Sequence, residues 1–306
     1  MEVGYHRREF GNFFYTDNRA VGPEDYSSAT FTAPRHDRLP DGGGYPVTFY
    51  DVNPTLRDGR PAFGQNRFAD GSSALYYTFG SDYGDETAYW HGVDVTLNAR
   101  MRNGLTFQGG TSTGRGVRDQ CEIWQELPEL FAPNTAGAKQ QFGACKWAEQ
   151  WLTQFRGLAT YTIPKIDVLV STVLQFKPNA TTGPTDTTVA SNGTSLMANY
   201  NLTNTEAAPL LNRNLAGTTA PTQNRSVNLL VPGQLYAERI NQVDVRVAKV
   251  LRFSGRRLDV GFDLYNLFNA NAGLSFQPAY GDGSGWLAPQ TYLNARFVRF
   301  NATFDF

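Results

Sequence analysis

The segment Arg296-Phe297-Val298-Arg299-Phe300-Asn301-Ala302-Thr303-Phe304-Asp305-Phe306 decides the fold. Val298, Phe300, Ala302, Phe304 and Phe306 share one parity, and Arg299, Asn301, Thr303 and Asp305 take the other. Side chains alternate across a strand with period two, so this stretch reads as a strand with one apolar and one polar face. Leu293, Ala295 and Phe297 fall on the opposite parity, which predicts a bulge or a change of environment at the start of the strand.

The same pattern recurs on moving outward. Leu258, Val260, Phe262 and Leu264 alternate with Asp259, Gly261, Asp263 and Tyr265. Val243, Val245 and Val247 alternate with Gln242, Asp244, Arg246 and Ala248, and Ser254-Gly255-Arg256-Arg257 joins these two segments as a hairpin. A second pair runs through Trp151, Thr153, Phe155, Gly157, Ala159 and Tyr161, then Ile166, Val168, Val170, Thr172, Leu174 and Phe176. The Ile163-Pro164-Lys165 connection between them suits a turn, because proline cannot donate to a sheet ladder. In a third pair, Tyr89, His91, Val93, Val95, Leu97, Ala99 and Met101 oppose Trp90, Asp94, Thr96, Asn98 and Arg100. Asn103-Gly104 then turns the chain into a return strand from Leu105 to about Gly114. An eighth, less regular strand lies near residues 2–15, with Phe13, Phe14 and Tyr15 as an aromatic cluster.

Short turns alternate strictly with long segments at 16–87, 115–149, 178–234 and 270–290. One sheet edge therefore carries tight turns and the other large loops, an arrangement normal in outer-membrane barrels and uncommon in compact soluble domains. The polar faces carry Asp94, Asn98, Arg100, Asp244, Arg246, Asp259, Asp263 and Arg299, poor partners for a second sheet and well suited to a wet lumen. A soluble sheet with its polar face in water is the simpler reading of alternation alone.

Composition agrees with the alternation. The 306 residues are 41% hydrophobic, 18% charged and 13% aromatic, with 15 Tyr and 21 Phe but only 3 Met. Mean hydropathy is -0.41, and no stretch approaches the roughly 18 to 20 apolar residues of a membrane helix. A barrel strand needs only about ten residues with every second one apolar, which leaves the average polar. The net charge of -1 provides no basic field, so nucleic acid is not an expected partner. Met1-Glu2-Val3-Gly4-Tyr5-His6-Arg7-Arg8 lacks the apolar core of a signal peptide, so the reading is that the protein is not exported or that its start is missing.

The sequence resembles the C-terminal part of a TonB-dependent receptor barrel from the Gram-negative outer membrane. The residues carrying the resemblance are Asn266-Leu267-Phe268-Asn269, the strand Asp244-Val245-Arg246-Val247-Ala248-Lys249, and the last strand quoted above. The match is strongest over about residues 235–306 and rests on pattern elsewhere. Long loops, Gly42-Gly43-Gly44-Tyr45-Pro46 and the paired cysteines look most like the Oar-like subgroup. The resemblance implies an all-β transmembrane antiparallel barrel with long extracellular loops, of which residues 1–306 are the C-terminal part, about eight strands of about 22. The plug, TonB box and signal peptide have no counterpart in this sequence. Val298, Phe300, Phe304 and Phe306 look like the signal that the barrel-assembly machinery reads. The implied partners are outer-membrane lipid, that machinery, TonB through the parts not seen here, and an unidentified ligand. No cofactor is implied.

Few residues suggest chemistry. Cys121 and Cys145 lie in one outer loop, where an oxidising compartment permits a disulfide closing about 25 residues and stabilising by roughly 3 kcal/mol. Two unrelated free thiols are the other reading, and a metal site lacks a ligand set. His6, His36 and His91 are widely spaced, with His91 on the lipid-facing parity. The glycine-rich pieces 109–116 and 281–285 lack the lysine and strand-to-helix setting of a phosphate loop. Ile123, Trp124, Leu127 and Leu130 among Glu122, Glu126 and Glu129 suggest a short amphipathic helix packed on its own loop. Tyr280, Trp286 and Tyr292 are candidates to stack on a sugar or aromatic chelate, although an interfacial aromatic girdle explains them as well.

The sequence thus reads as an outer-membrane transporter component that binds its ligand at the outer loops, with no catalytic chemistry. A complete eight-stranded barrel with a structural or adhesive role is the alternative. An outer-membrane hydrolase ranks last, because it requires a Ser-His pair at one rim and His91 has no nucleophile neighbour by register.

Overall fold

The computed structural model describes residues 1–53, 72–130, 139–140, 144–179, 196–216, 224–231, 233–254, 256–281 and 285–305. The chain is predominantly antiparallel β. Its largest sheet is an up-and-down meander of β1 (Glu2–Phe10), β2 (Thr87–Arg100), β3 (Thr106–Asp119), β4 (Leu152–Ile163), β5 (Val168–Lys177), β6 (Ile240–Phe253), β7 (Arg256–Tyr265) and β8 (Phe297–Asp305), paired in that order. A short strand, Lys146–Ala148, adds to the loop end of β3. Among the described residues β1 and β8 are the two edges and do not pair with each other.

The register keeps each face continuous from strand to strand. One apolar row crosses Ala99, Phe107, Ala159, Thr172, Val245, Leu264 and Val298, and the neighbouring polar row crosses Arg100, Thr106, Thr160, Ser171, Arg246, Asp263 and Arg299. A slip of one residue in any pair would break both rows at once, which is why amphipathic strands fix their own register. Among the described residues none covers the apolar face. Phe300 is 78% exposed and Val3 59%, with Val93, Leu97, Val247, Val260 and Phe262 also exposed.

The short turns are made by residues that accept a left-handed backbone. Gly104 has φ +88° in the turn where Met101 N donates to Leu105 O at 2.8 Å, and Lys165, Asp167 and Ser254 have φ of +73°, +46° and +48°. On the polar face the half-buried Trp90 lies flat over β3. A Cβ on Gly114 would stand 2.2 Å from Trp90 Cζ2, so only glycine fits beneath the indole.

The first strand departs from the sequence expectation. Residues 2–15 divide at Gly11-Asn12-Phe13. Glu2–Phe10 joins the large sheet, whereas Phe14–Asn18 forms a separate hairpin with Leu75–Phe79. Asn12 adopts φ +57° at this break. No bulge interrupts β8. The parity change before Val298 marks the strand boundary, and Phe297 lies on the polar parity, stacked on Tyr265 at 4.5 Å.

The long segments hold the only clusters of buried apolar residues found among the described residues. Hairpins Tyr26–Thr32/Pro46–Val52 and Asn199–Thr203/Asn224–Asn228 pack with α2 (Asn204–Leu211) and the segment around Trp286. Phe49, Leu202, Leu229 and Leu230 are fully buried there. Thr203 caps α2 reciprocally with Glu206, and Asn212 ends it in the left-handed conformation. Asp51, with no side-chain exposure, accepts from Arg213 Nη1 at 2.6 Å, Arg225 Nη2 at 2.7 Å and Ala216 N at 2.9 Å. This carboxylate ties two distant long segments together. The shorter helix α1 (Cys121–Glu126) buries Ile123 and Trp124 and exposes Glu122 and Glu126, as its amphipathic pattern predicts.

Candidate functional site

Where the meander meets the loop layer, β1 runs directly into the Phe14–Asn18/Leu75–Phe79 hairpin. Alternation in that hairpin turns Tyr15 and Thr78 inward and leaves Phe14, Leu75, Tyr77 and Phe79 exposed. Phe14 stacks on Tyr77 with ring centres 5.1 Å apart and planes 11° apart, and packs on Phe79 at 4.2 Å. These rings adjoin a cavity of about 580 Å³ whose wall also includes Arg8, Glu9, Asn12 and Arg118.

The wall is stiffened by a buried charge network. Arg118 donates through Nε to Glu86 Oε1 at 2.8 Å and lies over the Phe13 ring at 4.9 Å. Tyr15 Oη donates to Glu86 Oε2 at 2.6 Å. Burial, followed by the Glu86 carboxylate, pushes the Tyr15 phenol well above its ordinary pKa, so it remains a proton donor across the physiological range. The network is internally paired and presents no activated nucleophile. An aromatic platform beside Arg8 and Glu9 has the chemistry of a binding surface: ring stacking on an apolar ligand face, with charged hydrogen bonds at its edge.

A second concavity of about 520 Å³ lies on the polar face of the meander, between β2 and β5. Thr96, Gln108, Arg156 and Gln175 line it, with Gly109, Gly110 and Gly157 as its floor. Further along this face Asp263 gathers Arg246 Nη1 at 3.3 Å, Arg299 Nη2 at 2.9 Å and Asn301 Nδ2 at 2.7 Å. The polar rows are thus cross-linked from strand to strand.

The ligand candidates from the sequence separate. Trp286 is 6% exposed, donates Nε1–H to Met197 O at 2.7 Å and belongs to the loop core. Tyr280 packs against the same core, 4.9 Å from Trp286 and 5.7 Å from His36. Tyr292 alone is well exposed, at 55%, on the small strand Pro289–Tyr292. Residues 282–284 of the last glycine-rich piece lie outside the described residues.

Cys121 and Cys145 form a disulfide, with Cα atoms 4.8 Å apart. Among the described residues no group of three His, Cys, Asp or Glu side chains is placed to hold a metal ion. His91 has Arg7 and Arg115 as its cross-strand neighbours, and no nucleophile. Val298, Phe300 and Phe304 project from the apolar face of β8 and are exposed; Phe306 lies outside the described residues.

The role of Asn266-Leu267-Phe268-Asn269 becomes local and specific. Asn266, 2% exposed with φ +52°, donates through Nδ2 to Ala270 O and Asn294 O, both at 2.8 Å, and its backbone N–H donates to Asp244 at 2.8 Å. Asn269 Oδ1 accepts from Arg296 N at 2.9 Å. The two asparagines clamp the base of the last long loop and deliver the chain into β8.

No protein-family model matches this chain, and no curated protein matches it in sequence. The aromatic platform was half legible: Phe14 belonged to a visible cluster, whereas Tyr77 and Phe79 reach it only through a pairing across a long segment.

Proposed function

We propose that this chain is the C-terminal barrel portion of an outer-membrane, TonB-dependent, Oar-like transporter of a Gram-negative bacterium. It captures an extracellular ligand at its long loops and passes it across the outer membrane without catalysis. The observation carrying this reading is the continuous apolar face over eight strands, left bare while the opposite face is charged and hydrogen-bonded. In water such a face is far larger than the apolar patches tolerated by monomeric proteins, whereas in lipid each exposed Phe or Val is stabilised by about 2 kcal/mol. Tight turns on one edge and a packed loop layer on the other supply an inner and an outer side. The open edges of β1 and β8 call for further strands, because unpaired backbone groups are not tolerated in hydrocarbon. A complete eight-stranded barrel requires instead that these two edges pair.

Spin labels on Phe300→Cys and Thr303→Cys, with the protein folded in lipid vesicles, test the membrane assignment. The label at 300 should collide with oxygen and that at 303 with a water-soluble nickel chelate; equal water accessibility at both would sink it. Transport is tested by uptake of metal chelates, oligosaccharides and peptides in cells lacking this gene or lacking TonB. The same ligand should be lost in both, and unchanged uptake of every class without the gene rejects the transporter reading.

A further inference from the structure

At the loop end of the apolar face, the aliphatic rows give way to a cationic and aromatic cluster. Arg115 of β3 donates Nε–H to His91 Nε2 at 3.1 Å and lies 5.6 Å from the centre of the Trp151 ring. His91 in turn contacts Tyr5, Tyr89 and Trp151, at ring distances of 6.4, 5.6 and 4.9 Å. Because His91 accepts at Nε2, its Nδ1–H is directed to Tyr5 Oη at 3.4 Å. Trp151 and Tyr5 remain 49% and 62% exposed. Arg239, just before β6, donates to the main-chain carbonyl of Thr153 in the same region.

Arg7 is paired with Glu9 at 2.8 Å and Lys146 with Asp119 at 2.6 Å. Among the described residues Arg115 and Arg239 have no carboxylate partner. Beyond its bond to His91, Arg115 has four further N–H groups with no hydrogen-bond acceptor among the described residues, at the margin of the exposed apolar surface. A guanidinium at the edge of hydrocarbon is stabilised by an anion, and its fork matches two phosphate oxygens, while tryptophan and tyrosine favour the headgroup level of a bilayer.

We infer that Arg115 and Arg239, framed by His91, Tyr5 and Trp151, bind the phosphate of a lipid headgroup on the long-loop side. The acyl chains of that lipid would lie along the apolar face below. The inference rests on the lipid-facing reading of that face, but it adds a specific site that the transport reading does not require.

The test is native mass spectrometry of the full chain in detergent, titrated with dioleoylphosphatidic acid or dioleoylphosphatidylcholine. The two lipids share acyl chains and differ in the headgroup. Phosphatidic acid should bind at least tenfold more tightly. Arg115→Gln combined with Arg239→Gln should remove that preference, while Arg115→Lys with Arg239→Lys should retain part of it. Excess inorganic phosphate should not compete, because it lacks the chains; full competition would show a free-phosphate site and overturn the lipid assignment. Equal binding of both lipids, or an unchanged preference in the double glutamine variant, would also overturn it. The spin label on Phe300→Cys, placed in the chain with both arginines intact and in the variant, serves as the control. In the intact chain a lipid-exposed label with no preference for phosphatidic acid discards this site alone, and a water-exposed label discards the membrane reading itself. A variant that no longer shows the label pattern is replaced by the single Arg115→Gln change, judged by the same criteria.

Discussion

Asp263 and Arg246 face each other across β7 and β6 on the polar face, Oδ1 to Nη1 at 3.3 Å, and the other Asp263 oxygen holds Arg299 of β8 at 2.9 Å. Three strands are therefore pinned by one buried carboxylate, which offsets two neighbouring guanidinium charges. Asp263→Asn should destabilise the folded chain by about 2 kcal/mol, as the arginines lose their shared counter-charge. Urea unfolding in detergent micelles measures it; a change below 0.5 kcal/mol, the range of an ordinary surface substitution, would show the pins to be dispensable.

Asp51 plays the corresponding part in the loop layer, and its loss should be felt there first. Asp51→Asn leaves Arg213 and Arg225 without a balancing charge next to the core containing Phe49 and Leu202. The expected penalty is about 3 to 5 kcal/mol. Hydrogen exchange should accelerate in residues 199–216 and 224–228 while β5 and β6 keep their protection; uniform acceleration would mean that the two layers unfold as one unit.

Glu129 predicts a pH dependence. Burial, reinforced by the nearby Asp17 charge, raises its pKa from 4.5 to about 7, although Asn18 N–H donates to it at 3.0 Å. A carboxyl whose folded pKa lies above its unfolded value favours the fold while protonated. Its contribution is therefore complete below about pH 4.5, declines as pH rises, and is gone above about pH 7, a span of about 3 kcal/mol. Protection of the Asn18 amide should fall across that window in the native chain and stay flat in Glu129→Gln. An identical slope in the variant would reject Glu129 as the titrating group.

The Cys121–Cys145 bridge closes a long loop, and its entropic effect should be about 3 kcal/mol. Reduction should raise the mass by about two hydrogens and speed proteolysis within the loop, with β2 and β3 unaffected. Two thiols alkylated without prior reduction would contradict the bridge.

Legibility in the sequence followed the range of the interactions. The meander strands were found because each announces itself within ten residues: Val243, Val245 and Val247 alternate whatever they pair with. The turns were legible for the same reason, Asn103-Gly104 above all. The Phe14–Tyr77 stack was not, because the partners lie on opposite sides of a long segment with no period of its own. Tyr280 and Trp286 stood as ligand candidates beside an interfacial girdle, because an aromatic in a loop looks alike in the sequence whether it faces ligand, lipid or core. Only the buried contacts with Phe49, Leu229 and Leu230 distinguish them.

By itself the sequence determined the meander strands apart from the end of the first, their two faces, their order and the side on which the long segments emerge, since alternation and turn chemistry are local and the register locks once one face is apolar. The tertiary structure alone decided that the loops share a core, that Asp51 collects arginines from a distant segment, and that Arg115 lies beside Trp151 with no carboxylate partner among the described residues. These depend on where the chain returns in space. A pairing across many residues leaves no periodic trace, and its energy exists only when both partners are in place.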